Sequence, residues 1–307
     1  MPSLLSVLVR AQIRLLKPIL DKFSIKTSRT FQDNLGDIMA RSLLSKVSFT
    51  PVCFEQFEAC FASPIGKPQG GSVILYLHGG GYVAGCLNYA RGSASVLATE
   101  TNRHVLAVAY RLAPESPFPA ALEDALCAYR YLLDAGYTRI SLAGESAGGG
   151  LIFALCLKLK ELGLPMPDRL VGISPWTDLK FTGESHSVNS KKDPTLSGRA
   201  LRVAARAYAD GQEGNPLVSP VYGDLTGFPR ALLFAGSREL LLDDARMLAE
   251  RLCACSCHCE LIVEEGMWHV YVLFKIPEAR KALDKIAAFL GDVNEQQGQS
   301  AEKVDEA

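Results

Sequence analysis

The sequence has no charge excess: 32 Lys and Arg stand against 33 Asp and Glu in 307 residues. A chain so balanced has no basic field to hold nucleic acid or an anionic surface. It also lacks an apolar run long enough to span a bilayer, so stable membrane insertion is not expected. A secretory signal is missing too. The one candidate stretch, Leu4 to Leu20, has its first basic residue, Arg10, inside the apolar run, and no small-residue cleavage site follows. A cytoplasmic location is therefore expected, with thiols rather than disulfides for the nine cysteines. No internal repeat is present, and nothing in the composition opposes a homodimer.

What is present is the material of a large globular core, at 48% hydrophobic residues. Leu5, Leu8, Val9, Ile13, Leu16 and Leu20 share one helical face, with Arg10, Arg14, Lys17 and Asp21 on another, so the spacing predicts an amphipathic helix whose apolar stripe covers something. Cys253, Cys255, Cys257 and Cys259 alternate around His258. On an extended strand, same-face thiols would stand about 7 Å apart, too far to share a metal bound at about 2.3 Å, so they read as small apolar residues and no metal is expected.

Runs rich in Val, Ile and Leu at 72–77, 105–110, 139–143, 170–174, 231–235 and 260–263 alternate with helical patterns at 89–100, 119–135, 147–162, 243–252 and 277–290. This alternation predicts an α/β domain with a mostly parallel sheet covered on both faces, whose ligands collect at the carboxyl ends of the strands. Two segments break the rhythm. Residues 1–47 are helical before any strand, and residues 181–215 are turn-rich with a short helix; both are expected to form a helical cap over a catalytic domain at 48–290. The polar, aperiodic residues 291–307 read as a disordered tail.

The strand at 139–143 runs into Gly144-Glu145-Ser146-Ala147-Gly148 and then a helix. A Gly-x-Ser-x-Gly between strand and helix is the pattern of a nucleophile elbow, in which crowding demands small flanking residues and the serine is held out at the top of the sheet. A plain helix N-cap serine is the alternative reading. A serine needs a base, and only five histidines are available. His269, in the loop between the last strand and the last helix, lies at the same sheet edge as Ser146; the other four sit elsewhere in the pattern. The base needs an orienting acid. The loop after the strand at 231–235 offers Glu239, with Asp243 as the reserve because Asp243 and Asp244 suit the first turn of the following helix.

A third element is Leu77-His78-Gly79-Gly80-Gly81 directly after a strand. Bare backbone there can approach a phosphate, a substrate oxygen or neighbouring chain. Neither a P-loop pattern nor a convincing dinucleotide fingerprint accompanies it. Taken with the elbow, Tyr110-Arg111-Leu112-Ala113-Pro114-Glu115 and Met267-Trp268-His269, this loop resembles the hormone-sensitive lipase family of α/β-hydrolases over residues 72–290. The resemblance implies an α/β-hydrolase fold with an N-terminal cap and a serine esterase acting on short- to medium-chain esters. It places the nucleophile on Ser146, the acid on Glu239, the base on His269 and oxyanion-binding N–H groups on Gly79, Gly80 and Ala147. Gly81 then only lets the chain turn away. No cofactor is implied, and the partner is a small-molecule ester. Glu145 and Glu239 each stand where the family more often has aspartate.

His78, Arg111 and Asp124 are expected to brace the loops. Tyr82, Trp176, Trp268 and Tyr271 are candidate pocket walls, Trp176 with a structural role as the stronger reading. A catalytically inactive binding protein on the same fold is the alternative function, but such proteins lose a triad member and this chain keeps all three. An interfacial membrane helix at the N-terminus would need its apolar face free, whereas the cap reading uses that face.

Overall fold

The computed structural model describes residues 1–20, 24–41, 43, 45–66 and 71–291. Two helices, α1 (Leu4–Leu20) and α2 (Ile25–Arg41), precede an eight-stranded sheet. Its strands are β1 (Val47–Cys53), β2 (Glu58–Pro64), β3 (Ser72–Leu77), β4 (His104–Ala109), β5 (Arg139–Glu145), β6 (Arg169–Ile173), β7 (Arg230–Gly236) and β8 (Cys259–Glu264), in the spatial order β1-β2-β4-β3-β5-β6-β7-β8. The pairings of β1 with β2 and β2 with β4 are antiparallel, and all others are parallel.

The covering helices are α3 (Leu87–Thr101), α4 (Ala120–Asp134), α5 (Ala147–Glu161), α8 (Leu242–Ala254) and α9 (Pro277–Leu290). Successive residues of each central strand point to opposite faces. Val73, Leu75 and Leu77 of β3 therefore join the core formed with α4, α5 and α8, whereas Ile74 and Tyr76 join the core beneath α3 and α9. All six β3 residues are buried. Strands covered on both faces read as continuous apolar runs, which is why the central strands stand out in the sequence. The edge strands β1 and β2 do not: β1 alternates half-exposed residues with a proline, Pro51, tolerated on an outer strand.

Residues 181–215 fold into α6 (Ser185–Val188) and α7 (Gly198–Ala209). Residues 292–307, expected to be a disordered tail, lie outside the described residues.

Two expectations are corrected. The stretch Cys253–Cys259 is not one strand: Cys253 lies in the last turn of α8, Cys255 caps it, Cys257 is buried between the turn and the next strand, and Cys259 opens β8. The thiols thus face different surroundings because the chain reverses among them. Helix α1 is oriented differently from the amphipathic expectation. Val9 and Ile13 are half-buried against the core, but Leu5, Leu8 and Leu16 are exposed; the side chain of Leu20 lies outside the described residues. The face turned to the protein is polar instead: Arg10 Nη1 donates to the Gly266 carbonyl at 2.7 Å, Arg14 Nη2 to Lys191 O at 3.1 Å, and Lys17 Nζ to Asp193 O at 2.6 Å. Charge-assisted bonds to fixed carbonyls set the rotation of the helix. No described helix is long and apolar enough to cross a membrane.

Candidate active site

Ser146 sits between β5 and α5 at φ 55° and ψ −119°, a strained conformation for a residue with a side chain. The surroundings impose it. Ser146 N–H donates to Ile173 O and its carbonyl accepts from Trp176 N–H, both at 2.9 Å, so the turn is tied to the loop after β6. A Cβ at Gly148 would stand 2.0 Å from the Leu77 carbonyl oxygen, so only glycine lets α5 pack on β3 this closely. Gly148→Ala is expected to destabilise the fold by about 3 kcal/mol or more, since backbone and not a flexible side chain must yield, and urea unfolding measures it.

The Ser146 Oγ lies 2.9 Å from His269 Nε2. His269 follows β8 in a loop whose next residue, Val270, is left-handed at φ 52°. Both Ser146 and His269 are buried, and burial lowers the imidazole to about 3. The ring is thereby neutral and able to accept a proton.

Among the three carboxylates of the 239–244 stretch, Glu239 is the one against His269: its Oε2 stands 4.0 Å from His269 Nδ1. Asp243 instead accepts from Ser185 N–H at 2.7 Å, and Asp244 pairs with His186 at 3.0 Å. At 4.0 Å Glu239 and His269 are not hydrogen-bonded, and Glu239 Oε1 and His269 Nδ1 are both buried without a partner. Burial raises Glu239 to about 8, helped by Asp193 and Asp244 and opposed by the Gly236 N–H and the Ser174 hydroxyl.

The acid loop is clamped from the inserted segment. Asn189 Nδ2 donates to Ser237 O at 3.2 Å and to Glu239 O at 3.0 Å, and Asp193 Oδ2 accepts from Leu240 N–H at 2.9 Å. Ser174, after β6, is a group that sequence reasoning missed. Its Oγ–H donates to Glu239 Oε2 at 2.7 Å while its Oγ accepts from Val270 N–H at 3.0 Å. One hydroxyl thus joins Glu239 to the loop that carries His269. A serine after a strand carries no signal of that role, because both partners are remote in sequence.

Ser174→Ala is expected to slow turnover about tenfold, on the scale of one lost hydrogen bond to a charged group, and to move the pH profile. The carboxylate must be ionised to stabilise an imidazolium, so kcat/KM should rise with pH through about 8. Removing a donor that favours the charged form raises the acid further, so the rise should shift to higher pH in Ser174→Ala. An unmoved profile would reduce Ser174 to packing.

The glycine loop requires one correction. Gly79 N–H is taken by Glu145 Oε1 at 2.6 Å, so it is not free for a substrate oxygen. Glu145, buried and raised to about 7 by that burial, also accepts from Tyr76 Oη–H and so ties the loop to the elbow. Among the described residues the N–H groups of Gly80, Gly81 and Ala147 have no acceptor. The Gly81 N–H is thus open where that of Gly79 is not. Gly80, at φ +112°, has its own need for glycine: a Cβ would lie 2.1 Å from Ala84 O. His78 braces the loop, stacked on Tyr110 at 4.2 Å with Nδ1 2.6 Å from Gly79 O. Arg111 pairs with Asp124 at 2.7 Å behind it.

Two of the candidate walls, Tyr82 and Trp176, are buried in one aromatic cluster with Tyr208, which stacks on Tyr82 at 3.7 Å. Trp268 and Tyr271 are buried on the other face of the sheet, in the core beneath α9, with Trp268 edge-on to Phe274. Both are fully buried core residues on the side of the sheet away from Tyr82 and Trp176. Helices α2 and α7 flank the glycine loop. Arg29 of α2 donates to Val83 O at 2.7 Å, and a Cβ at Gly81 would lie 3.2 Å from that of Ala204 in α7.

A strained serine on a strand-to-helix turn, a histidine at hydrogen-bond distance, a buried acid behind it and a glycine loop alongside define a hydrolase-type site on a doubly covered sheet. The family model described as alpha/beta hydrolase fold matches residues 74–273. The chain is 43% identical over 229 residues to an acetyl-hydrolase of Streptomyces hygroscopicus, spanning 72% of this chain and 76% of that one. It is 38% identical over 223 residues to an esterase of Acinetobacter venetianus, spanning 71% and 74%. Its structure superposes on the crystal structure of an esterase from the bacterial hormone-sensitive lipase family with a TM-score of 0.86 at 36% identity, covering 94% of this chain and 98% of that one. The chain belongs to the α/β-hydrolase family, in its hormone-sensitive lipase branch.

Proposed function

We propose that the chain is a serine carboxylesterase for short- to medium-chain esters, acting through an acyl-enzyme on Ser146. The observation that carries this reading is the 2.9 Å contact between Ser146 Oγ and His269 Nε2 at a strained elbow. Ser146 Oγ bonds to the ester carbonyl carbon as its proton passes to Nε2. The carbonyl oxygen becomes an oxyanion, and the N–H groups of Gly80, Gly81 and Ala147 are its donors. Collapse breaks the bond to the alkoxy oxygen, which leaves as alcohol with the proton from Nε2. Water, deprotonated by the same nitrogen, then releases the carboxylic acid and restores Ser146.

Glu239 orients the imidazole and stabilises its charged form. For this its carboxylate closes the 4.0 Å gap to Nδ1–H, which also gives the buried, unpartnered Nδ1 a partner. Catalytic hydrogen bonds that are long without substrate commonly tighten with it.

Residues 1–47 and 181–215 serve as the cap. Gln32 of α2 supports this, since its Oε1 is buried without a partner and stands 3.0 Å from where a Gly80 Cβ would be. A cap this near the oxyanion donors limits acyl length. The nine free thiols suit a reducing cytoplasm. The relatives named acetyl-hydrolase and esterase support the same activity.

The test is fluorophosphonate labelling with the modified peptide mapped, beside turnover of p-nitrophenyl esters from acetate to palmitate. Label on Ser146 and rates falling beyond medium chains are expected. A folded protein that takes no label and turns over no ester would favour the inactive binding protein.

A further inference from the structure

A buried carboxylate stands beside Ser146 and takes no part in the proton transfers. Glu145, the last residue of β5, has no exposed surface, and a charge so placed is costly unless it is paired and hydrogen-bonded. Its partners are neutral donors. Oε1 accepts from Gly79 N–H at 2.6 Å, Oε2 accepts from the Tyr76 hydroxyl of β3, and the Tyr89 hydroxyl of α3 faces it as well. Burial raises the carboxyl to about 7, and these same donors oppose the rise because they favour the charged form.

Among the described residues, the bond from Gly79 to Glu145 is the one hydrogen bond that joins Gly79, Gly80 and Gly81 to the turn at 144–148. Otherwise the loop only lies against that turn: a Cβ at Gly79 would stand 3.1 Å from the Cβ of Ser146. Gly80 and Gly81 follow, both at positive φ and both with open N–H groups. Three consecutive glycines have the widest choice of backbone conformations. An anchor at the first of them decides where the next two donors point.

We propose that Glu145 is a positioning residue that sets the Gly80 and Gly81 N–H groups where the oxyanion forms, through its hold on Gly79, with Tyr76 holding Glu145 in turn. The role rests on the serine esterase reading above. It needs the length of glutamate. Gly79 lies on the loop and Tyr76 within β3, so the two oxygens of one carboxylate reach partners on different segments. Aspartate, one methylene shorter, would give up at least one of them.

The test compares three variants. Glu145→Ala should lower kcat on p-nitrophenyl acetate about 100-fold, the scale of one lost oxyanion donor, with KM changed less than about threefold because these donors act on the transition state. Affinity for an aryl trifluoromethyl ketone, whose adduct with Ser146 Oγ carries the same oxyanion, should fall by a similar factor. Glu145→Gln still accepts from Gly79 N–H and can donate to Tyr76 Oη, so it should recover kcat to within about tenfold of wild type. Glu145→Asp should fall between the other two. Amide hydrogen exchange of residues 77–84 should quicken in Glu145→Ala and not in Glu145→Gln. Wild-type kcat in Glu145→Ala, or a lost kcat with the ketone still bound as tightly, overturns the role. So does a Glu145→Gln as slow as Glu145→Ala. If Glu145→Ala fails to fold, equal rates in Glu145→Gln and Glu145→Asp overturn it. A wild type that turns over no ester would sink the esterase reading instead, and the exchange measurement, which needs no substrate, would still decide whether Glu145 holds the loop.

Discussion

Replacing Ser146 with alanine should lower kcat on p-nitrophenyl acetate by about a millionfold, with little change in melting temperature. The magnitude follows from interdependence: in a serine, histidine and acid set, loss of the nucleophile costs about as much as loss of the whole set, and what remains comes from the oxyanion donors and binding. The stability expectation has its own reason. Ser146 holds φ 55° by backbone bonds to Ile173 and Trp176, not by its side chain, whose one hydrogen bond among the described residues is to His269. Deleting Oγ therefore removes the attacking atom and leaves the elbow. Stopped assays on the purified variant, beside loss of fluorophosphonate labelling, measure both. Wild-type rates in Ser146→Ala would sink the acyl-enzyme.

Glu239→Gln is the second large effect, about 10⁴-fold in kcat, the scale seen when an orienting carboxylate becomes an amide and the imidazole is left in the wrong tautomer. Glutamine is nearly isosteric and can still accept from Ser174 and Gly236, so the loop should persist. What it cannot do is carry the negative charge that stabilises the imidazolium. The companion variant Asp243→Asn should change kcat less than about tenfold, because Asp243 is spent on Ser185 N–H and Arg246, away from the base. Comparing the two on one ester discriminates the acids. Loss confined to Asp243→Asn would transfer the role. In Glu239→Gln the rise of kcat/KM through about pH 8 should also vanish, since the group whose ionisation produces it is gone.

These effects depend on a frame that was partly legible in one dimension. The central strands announced themselves because both faces are covered, so Ser72–Leu77 could hardly be anything but buried strand. The elbow was legible for a local reason: strand, tight turn and helix leave room only for small residues around the serine, so chemistry and sterics select the same short pattern. The choice of His269 followed from scarcity, with five histidines and one loop at the right edge, and it is the histidine that stands 2.9 Å from Ser146. Strands β1 and β2 were not read, because a half-exposed edge alternates too weakly to stand out.

The donors of the glycine loop could not be apportioned from sequence, since a side chain 66 residues away decides that Gly79 is occupied. Ser174 was invisible for the same reason, being 65 residues from Glu239 and 96 from Val270.

The first helix shows the division most plainly. Its sequence by itself determined that one side is apolar and the other basic, because periodicity depends only on 3.6 residues per turn. Which side meets the protein was decided by tertiary structure. The carbonyls of Gly266, Lys191 and Asp193 converge on that helix only after the sheet and its loops have formed, and charge-assisted bonds to them outweigh the apolar contact left unmade.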